Sequence, residues 1–354
     1  MSKRMIFFLF LQIHLAAALS GYAVKIIEST DKGHWEPILA GVLLQGILVW
    51  VYLKGLSFSK GKDVVQIIKD GLGKWAGTLA FLPFVLFLCF HLILLARQQI
   101  TEISIILLPD TPLWSTTLIF VAIFLYAASK GISVIARVSV AIFLLFMPFV
   151  LFTLLVSYRD FDFYNAFPLW DPAASFTAKP SFYVSMYAYT GFLFLGMLRL
   201  NKPVTLRELW PLLAILAVFY VTIVYVPLLT FGHETAVLLQ QPTLMASDTI
   251  DLEWVVFDWL PTFFIVSYSA LSILESAVTL WMATLLIRKL FLPLPALWLM
   301  VGIGVAVYAL SLMIPNMQAL NRFGSYNAFF SIYSMIMIPV LTIVSGLRKR
   351  RTGS

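Results

Sequence analysis

Apolar and polar residues follow one another along this chain in long blocks. Ten apolar runs, near 5–27, 36–56, 78–100, 113–129, 133–157, 181–200, 208–231, 256–287, 293–314 and 325–347, are separated by short polar connections. Each approaches the roughly 20 residues that an α-helix needs to cross a hydrocarbon core. The pattern predicts an all-α polytopic membrane protein of ten transmembrane helices. The first run starts within five residues of Met1, behind Lys3 and Arg4. Its length and its lack of a small-x-small cleavage site make it a retained span, not a signal peptide. The longest connections are 57–77, 158–180 and 232–255. They leave no room for a soluble domain, so a single transmembrane domain is expected over 1–354. Ser57 to Lys69 has apolar residues at helical spacing with lysines opposite, which predicts a short amphipathic helix at the inner surface. The stretch 158–180, with Pro168 and Pro172, should be irregular but packed, and 232–255, with Pro242, should hold one short helix.

Charge gives the blocks a direction. With the N-terminus in the cytoplasm, 18 of the 24 basic residues fall on cytoplasmic ends and loops, among them Lys60, Arg199 and Lys202. The other six are Lys25, Lys32, Arg97, Arg159, Lys179 and Arg322. The positive-inside rule therefore places both termini in the cytoplasm. The net charge of +7 follows from this topology and is no evidence for nucleic acid. Asp160, Asp162, Asp171, Glu234, Asp248, Asp251 and Glu253 fall on the outer side. They form either a vestibule for cations or a harmless accumulation, since acidic residues weigh little in topology. The single cysteine, Cys89, can form no internal disulfide.

Ten spans with this orientation allow a five-plus-five inverted repeat, about 5–157 and 181–347, because the sixth span then starts outside. Transporters built this way hold substrate near the midplane, beside broken first and sixth helices. Candidate breaks stand at Ala16 to Tyr22, through Leu19, Ser20 and Gly21, and at Tyr189 to Gly196, through Thr190, Gly191, Phe192 and Phe194. Small residues there either allow unwinding, which exposes backbone groups to a ligand, or serve ordinary helix packing.

Glu275 is the one acidic residue read deep within a span, and a charge at mid-bilayer costs about 2.5–3.5 kcal/mol on insertion scales. Ser272 and Tyr268 share its helix face. The carboxyl group either pairs with a ligand ammonium or carries a proton, or it makes a structural hydrogen bond between helices. His14 and His91 lie in the first and third spans, His91 beside Phe87. A buried histidine is more often a packing residue than a site residue. Arg97 and Glu102, at the outer end of the third span, are read as interfacial. No cluster has metal-ligand spacing and no nucleophile–base pair is evident, so no cofactor and no enzyme activity are expected.

Four segments carry a family resemblance. Asp70-Gly71-Leu72-Gly73-Lys74-Trp75-Ala76-Gly77 precedes the third span. Leu107-Leu108-Pro109-Asp110-Thr111-Pro112 joins the third and fourth, and Lys130 to Arg137 opens the fifth. Asp160-Phe161-Asp162 and Phe167-Pro168 follow in the outer loop. In order and spacing the chain resembles the polytopic B subunit of GerA-type spore germination receptors. The resemblance implies a LeuT-like fold of the amino acid–polyamine–organocation superfamily. It also implies residence in the inner membrane of the endospore, A and C subunits as partners, and a small-molecule germinant, commonly an amino acid. Family ligand sites line spans one, three, six and eight. Here those positions fall near Leu19, Ser20 and Gly21, near Phe87 and His91, near Thr190, Gly191, Phe192 and Phe194, and near Ser272, Leu274 and Glu275.

Two departures from the family pattern bear on the ligand. The family often has Gly-x-Glu in span six, where this chain has Gly191-Phe192-Leu193, and relatives tend to have a hydroxyl residue where Glu275 stands. The expected function is a germinant-sensing receptor subunit; the alternative is a proton-coupled amino-acid or amine transporter on the same fold.

Overall fold

A computed structural model describes residues 1–59, 61–198, 204–248 and 259–352. Lys60, Arg199, Lys202, Asp251 and Glu253 lie outside the described residues. Fourteen α-helices follow one another: α1 (Lys3–Leu19), α2 (Tyr22–Ile27), α3 (Trp35–Ser57), α4 (Val64–Leu72), α5 (Lys74–Ala80), α6 (Leu82–Ile106), α7 (Leu113–Ser129), α8 (Ile132–Val156), α9 (Pro180–Ser185), α10 (Leu206–Leu238), α11 (Pro242–Asp248), α12 (Trp259–Leu290), α13 (Ala296–Met313) and α14 (Met317–Thr352). Short 3₁₀ turns occupy Ser157–Asp160, Phe163–Ala166 and Ser175–Ala178, and a longer 3₁₀ helix runs over Met186–Met197. No strand occurs among the described residues.

Seven of these helical segments are long and apolar enough to cross a membrane: Trp35–Ser57, Lys74–Ile106, Ile132–Asp160, Leu206–Leu238, Leu260–Leu290, Ala296–Met313 and Met317–Arg348. Their apolar side chains also point outward, as Leu43 and Ile47 on α3, Leu144 on α8 and Trp298 on α13 do. Water would not tolerate such faces over so much of the surface, whereas lipid does. The protein is an integral membrane protein.

Three further apolar segments differ from a straight, long α-helix. The first run breaks between α1 and α2. α7 has 17 residues. The expected sixth span combines six α-helical residues with twelve in 3₁₀ geometry. Rises of about 1.5 and 2.0 Å per residue give that segment about 33 Å.

The bundle packs around α1, which touches α8, α10, α12 and the 3₁₀ helix 186–197. α14 closes the other side against α3, α4 and α6. Close approach there depends on glycine. A Cβ on Gly55 would sit 2.7 Å from the backbone nitrogen of Ile343, and one on Gly71 would sit 2.3 Å from Ser345 Cβ. Without a hydrophobic force between helices in lipid, small residues that let backbones meet supply much of the attraction.

Two ends of the bundle differ in chemistry. At the basic end, the amphipathic helix expected near 57–69 forms as α4. Asp63 and Gln66 make a reciprocal capping box at its start. Contrary to the expected surface position, its apolar residues Val64, Val65, Ile67 and Ile68 are buried within the protein, and α4 packs on α5 and α14. The carboxylate of Asp63 is buried and receives Lys289 Nζ at 2.6 Å from the end of α12. Lys69 Nζ donates to the Lys289 carbonyl at 3.2 Å, and Lys3 pairs with Glu208 at 2.6 Å.

At the opposite end, α10 bends at Gly232, whose φ is 74°. The carbonyl of Leu229 accepts from the Asp162 amide and from Asn165 Nδ2, each at 3.0 Å. The stretch 158–180 is irregular, as expected, but most of its side chains are exposed, Tyr164 and Trp170 among them, and it is tied down by single bonds: Trp35 Nε1 donates to the Leu169 carbonyl at 2.7 Å, and Glu36 accepts from the Asp171 amide at 2.8 Å. The expected short helix after Pro242 is α11. Beside the bend, His34 Nε2 lies 3.2 Å from His233 Nδ1, and His233 Nε2 lies 3.3 Å from Asp31 Oδ1. Burial, and then the neighbouring His233, push the His34 pKa down to about 4, against weaker upward pulls from Asp31 and the Thr30 backbone.

Two stability measurements test this packing. Gly55→Ala should lower stability by about 1–3 kcal/mol, because the new methyl group meets backbone atoms that cannot move aside. Gly302→Ala, where a Cβ meets nothing within 4 Å, should be neutral or slightly stabilising. Thermal unfolding of the two variants in detergent checks the contrast. The second measurement is pH dependence. His34 is neutral in the folded state and titrates near 6.5 when unfolded. Its contribution to stability is therefore complete above pH 6.5 and is lost as pH falls toward 4. His34→Gln should flatten that part of the stability profile.

Candidate functional site

The backbone leaves the α-helix at Ser20 and Gly21, within the stretch Ala16 to Tyr22 where a break was expected. Gly21 has φ 78°, a left-handed conformation that glycine adopts without strain. A Cβ there would also stand 3.0 Å from Gln98 Nε2, so the position is closed to side chains on two counts. The Ser20 amide donates to the Ala16 and Ala17 carbonyls, and the Gly21 amide to the Leu19 carbonyl at 3.0 Å. The Ser20 carbonyl is freed by the break. It accepts a hydrogen bond from the Tyr187 hydroxyl. The Ser20 hydroxyl donates to Gln98 Oε1 at 3.3 Å, and Gln98 Nε2 in turn donates to Glu102 at 3.1 Å.

A cavity of about 250 Å³ opens beside this break. Its walls come from Ser20 and Gly21, from α2 through Lys25 and Glu28, and from α6 through His91 and Gln98. Tyr187 on the 3₁₀ helix, α14 and the segment Val237–Gln241 complete it. Lys25 Nζ and Glu28 Oε2 are 2.9 Å apart in its wall. The cavity thus presents both signs of charge, amides and an apolar surface.

Of the residues anticipated for the site, Ser20, Gly21 and His91 line this cavity. Glu275 stands directly behind: its Oε1 lies 3.0 Å from His91 Nε2, both groups being buried. Its Oε2 has no hydrogen-bond partner among the described residues. Phe87 stacks on the His91 ring at 5.4 Å between centroids and orients it from below. Ser272 and Leu274 are buried on α12 around Glu275. Leu19 ends α1 and is buried.

The expected break in the sixth span takes another form. Instead of an unwound turn, Met186–Met197 is over-wound into 3₁₀ geometry. Thr190 donates to the Tyr187 carbonyl at 2.7 Å. Gly191 lets the 3₁₀ helix approach α1, since a Cβ there would meet His14 at 2.9 Å. Phe192 packs edge-on against Tyr52, and Phe194 is fully buried. Tyr220, Gln45 and Tyr52 donate to the carbonyls of Ala188, Tyr189 and Leu193 at 2.9, 3.4 and 3.1 Å. His14 Nδ1 lies 2.7 Å from the Phe10 carbonyl on its own helix.

Several positions near the cavity differ from the sequence expectations. Glu102, read as interfacial, is buried under the chain and held by Gln98. Arg97, also read as interfacial, is largely covered and donates to the Pro315 carbonyl at 3.4 Å. α14 begins at Met317, eight residues before the apolar run that predicted it, and its first turns line the cavity. The signal was present: Asn316 caps the Ala319 amide at 2.9 Å, and Leu320, Gly324, Asn327, Ala328 and Ser331 recur at helical spacing.

Comparison with known proteins agrees with this picture. The family profile described as spore germination protein, the spore permease family, matches residues 1–319. Spore germination protein GerQB of Bacillus cereus is 26% identical over 172 residues, which cover 48% of this chain and 46% of that protein. The aligned stretch thus spans about half the length of that relative. With a match over most of its length, the chain belongs to the spore permease family of spore germination proteins.

Proposed function

We propose that this protein is the small-molecule-sensing membrane subunit of a spore germination receptor. It binds a nutrient, an amino acid first of all, in the cavity beside the α1–α2 break, and the occupied state triggers germination through A and C subunits. It resides in the inner membrane of the endospore with both termini toward the spore core, as the charge distribution favours. Ten spans in a five-plus-five inverted repeat, with the halves near 5–157 and 181–347, suit the break in the first span and the altered helix in the sixth. The observation that carries the reading is the cavity itself, placed where backbone geometry departs from the α-helix. Lys25 and Glu28 hold opposite charges in its wall, an arrangement into which a zwitterion fits. Occupancy acts by favouring one arrangement of the bundle over another.

A second reading has its own observation. His91 in the cavity wall lies 3.0 Å from the buried Glu275 behind it, a pair of the kind that a proton-coupled amino-acid or amine transporter would use. Uptake into proteoliposomes, abolished by collapse of the proton gradient, distinguishes transporter from receptor.

Thermal stabilisation of the purified protein by a panel of amino acids, sugars and nucleosides tests the cavity, because a ligand of the folded state raises apparent stability. At least one compound should stabilise the native protein and fail with Gly324→Leu. A Cβ at Gly324 meets nothing within 4 Å, so the larger side chain fits the fold while filling the cavity. A compound that stabilises both proteins equally binds elsewhere and overturns the assignment. Glu275→Gln should keep the protein in the membrane and shift the germination dose–response of spores carrying it by about tenfold. An unchanged curve removes Glu275 from the mechanism.

A further inference from the structure

The chain between α8 and α9 carries aromatic side chains that the described residues leave uncovered. Tyr158, Phe163, Tyr164, Phe167 and Trp170 are between 59% and 84% exposed. Each ring left in water forgoes the free energy of burial, about 25 cal/mol per Å² of apolar surface. The place of the loop says what meets them. At about 1.5 Å per residue, Leu229 stands roughly 33 Å from the exposed Arg207 along α10, and Tyr158 roughly 31 Å from the exposed Arg137 along α8. Those lengths match a hydrocarbon core of about 30 Å. The Asp162 amide and Asn165 Nδ2 donate to the Leu229 carbonyl, and Trp35, at the start of α3, donates to the Leu169 carbonyl. The loop therefore runs from α8 past α10 to α3, along the level at which these helices leave the core. The lipid-facing stripe of α8, through Leu144, Phe152 and Leu155, leads directly into Tyr158.

Two constraints fix the depth. Arg159, Asp160 and Asp162 are exposed beside the rings, and the backbone here is irregular chain with short 3₁₀ turns. The hydrocarbon core tolerates neither exposed charges nor irregular backbone. The rings, for their part, gain from leaving water. The headgroup layer meets both demands, because it hydrates charges and backbone while offering the rings an apolar edge. We propose that Tyr158, Phe163, Tyr164, Phe167 and Trp170 form a lipid-binding surface that seats the loop 158–170 in the interfacial layer of the leaflet away from the basic end. The assignment is independent of what the cavity binds. A protein partner fits less well. The rings are strung along the ends of several helices instead of being gathered into one patch, and charges of both signs lie among them, whereas the core of a protein interface is depleted of charge.

Cys89 is the sole cysteine, so a Cys89→Ser background permits single-cysteine probes. In that background the full chain carrying Phe163→Cys or Tyr164→Cys is labelled with monobromobimane and reconstituted in phosphatidylcholine vesicles. Leu144→Cys, exposed on α8 within its span, serves as the reference. Quenching is read with iodide in the water, and with phosphatidylcholine brominated near the ester end or near the methyl end of its chains. Bromine near the ester end should quench the loop probes most, whereas bromine near the methyl end should quench Leu144→Cys most. Loop probes quenched by iodide and by neither lipid stand in water, which overturns the proposal. Stronger quenching of the loop probes from the methyl end places them in the core and overturns the interfacial seat. Shielding from iodide and from both lipids means that a second copy of the chain covers the rings, and overturns the lipid assignment. If a loop variant fails to accumulate, Tyr158→Cys takes its place in the same measurement and decides by the same outcomes.

Discussion

The hydrogen bond from the Tyr187 hydroxyl to the Ser20 carbonyl joins two places at the centre of the bundle where this chain leaves the α-helix. Lipid offers no partner for a backbone group set free in this way, so each departure must be satisfied from within the protein. Ser20 loses its onward helical bond at the break, and Tyr187 restores it from the 3₁₀ helix. That helix has its own carbonyls served by Tyr220, Gln45 and Tyr52, on α10 and α3. The irregular backbone at the centre is therefore held by donors from two surrounding helices. Without those donors, ordinary α-helical spans would be the lower-energy state, and the cavity beside the break would be absent.

Close packing makes these bonds reachable. Tyr189 lies against Gly41, where a Cβ would come within 2.4 Å of the ring, and Tyr52 lies against Gly196, where a Cβ would come within 1.9 Å of the hydroxyl. Glycine at these positions lets a large aromatic side chain lie flat on a neighbouring backbone and bring its hydroxyl to a carbonyl. The aromatic content and the glycines, which look unrelated in composition, work as pairs in the structure.

Much of this was legible in the chain. Block hydrophobicity placed most helices to within a few residues, because a span must be long and apolar wherever it sits, but it missed the first turns of α14 and the end of α10. Ser20-Gly21 announced a break through small size. Position along a span says nothing about what lies across from it, however. The meeting of His91 with Glu275, 184 residues apart, follows from how α6 and α12 pack. Glu102 and Arg97 looked interfacial because a linear reading cannot see what packs over them, such as the Pro315 carbonyl that Arg97 meets from 218 residues away. The beginning of α14 was hidden by Asn321 and Arg322, whose polarity interrupts the apolar run, although Asn321 lies on the helix face that lines the cavity. α4 looked like a surface helix because lysines beside apolar residues suit a lipid headgroup as well as they suit a groove between helices.

α4 also gives the molecule a sidedness. Its first residue, Val64, packs close to Gly196 at the end of the 3₁₀ helix. Asp63 before it holds the end of α12 through Lys289, and Gly71 at its far end fits against α14. One short helix thus ties together the 3₁₀ helix, α12 and α14 at the basic end of the bundle. Any shift of one of these three elements against the others must therefore break a contact that α4 makes, so α4 works as a common splint for parts of the chain that are far apart in sequence.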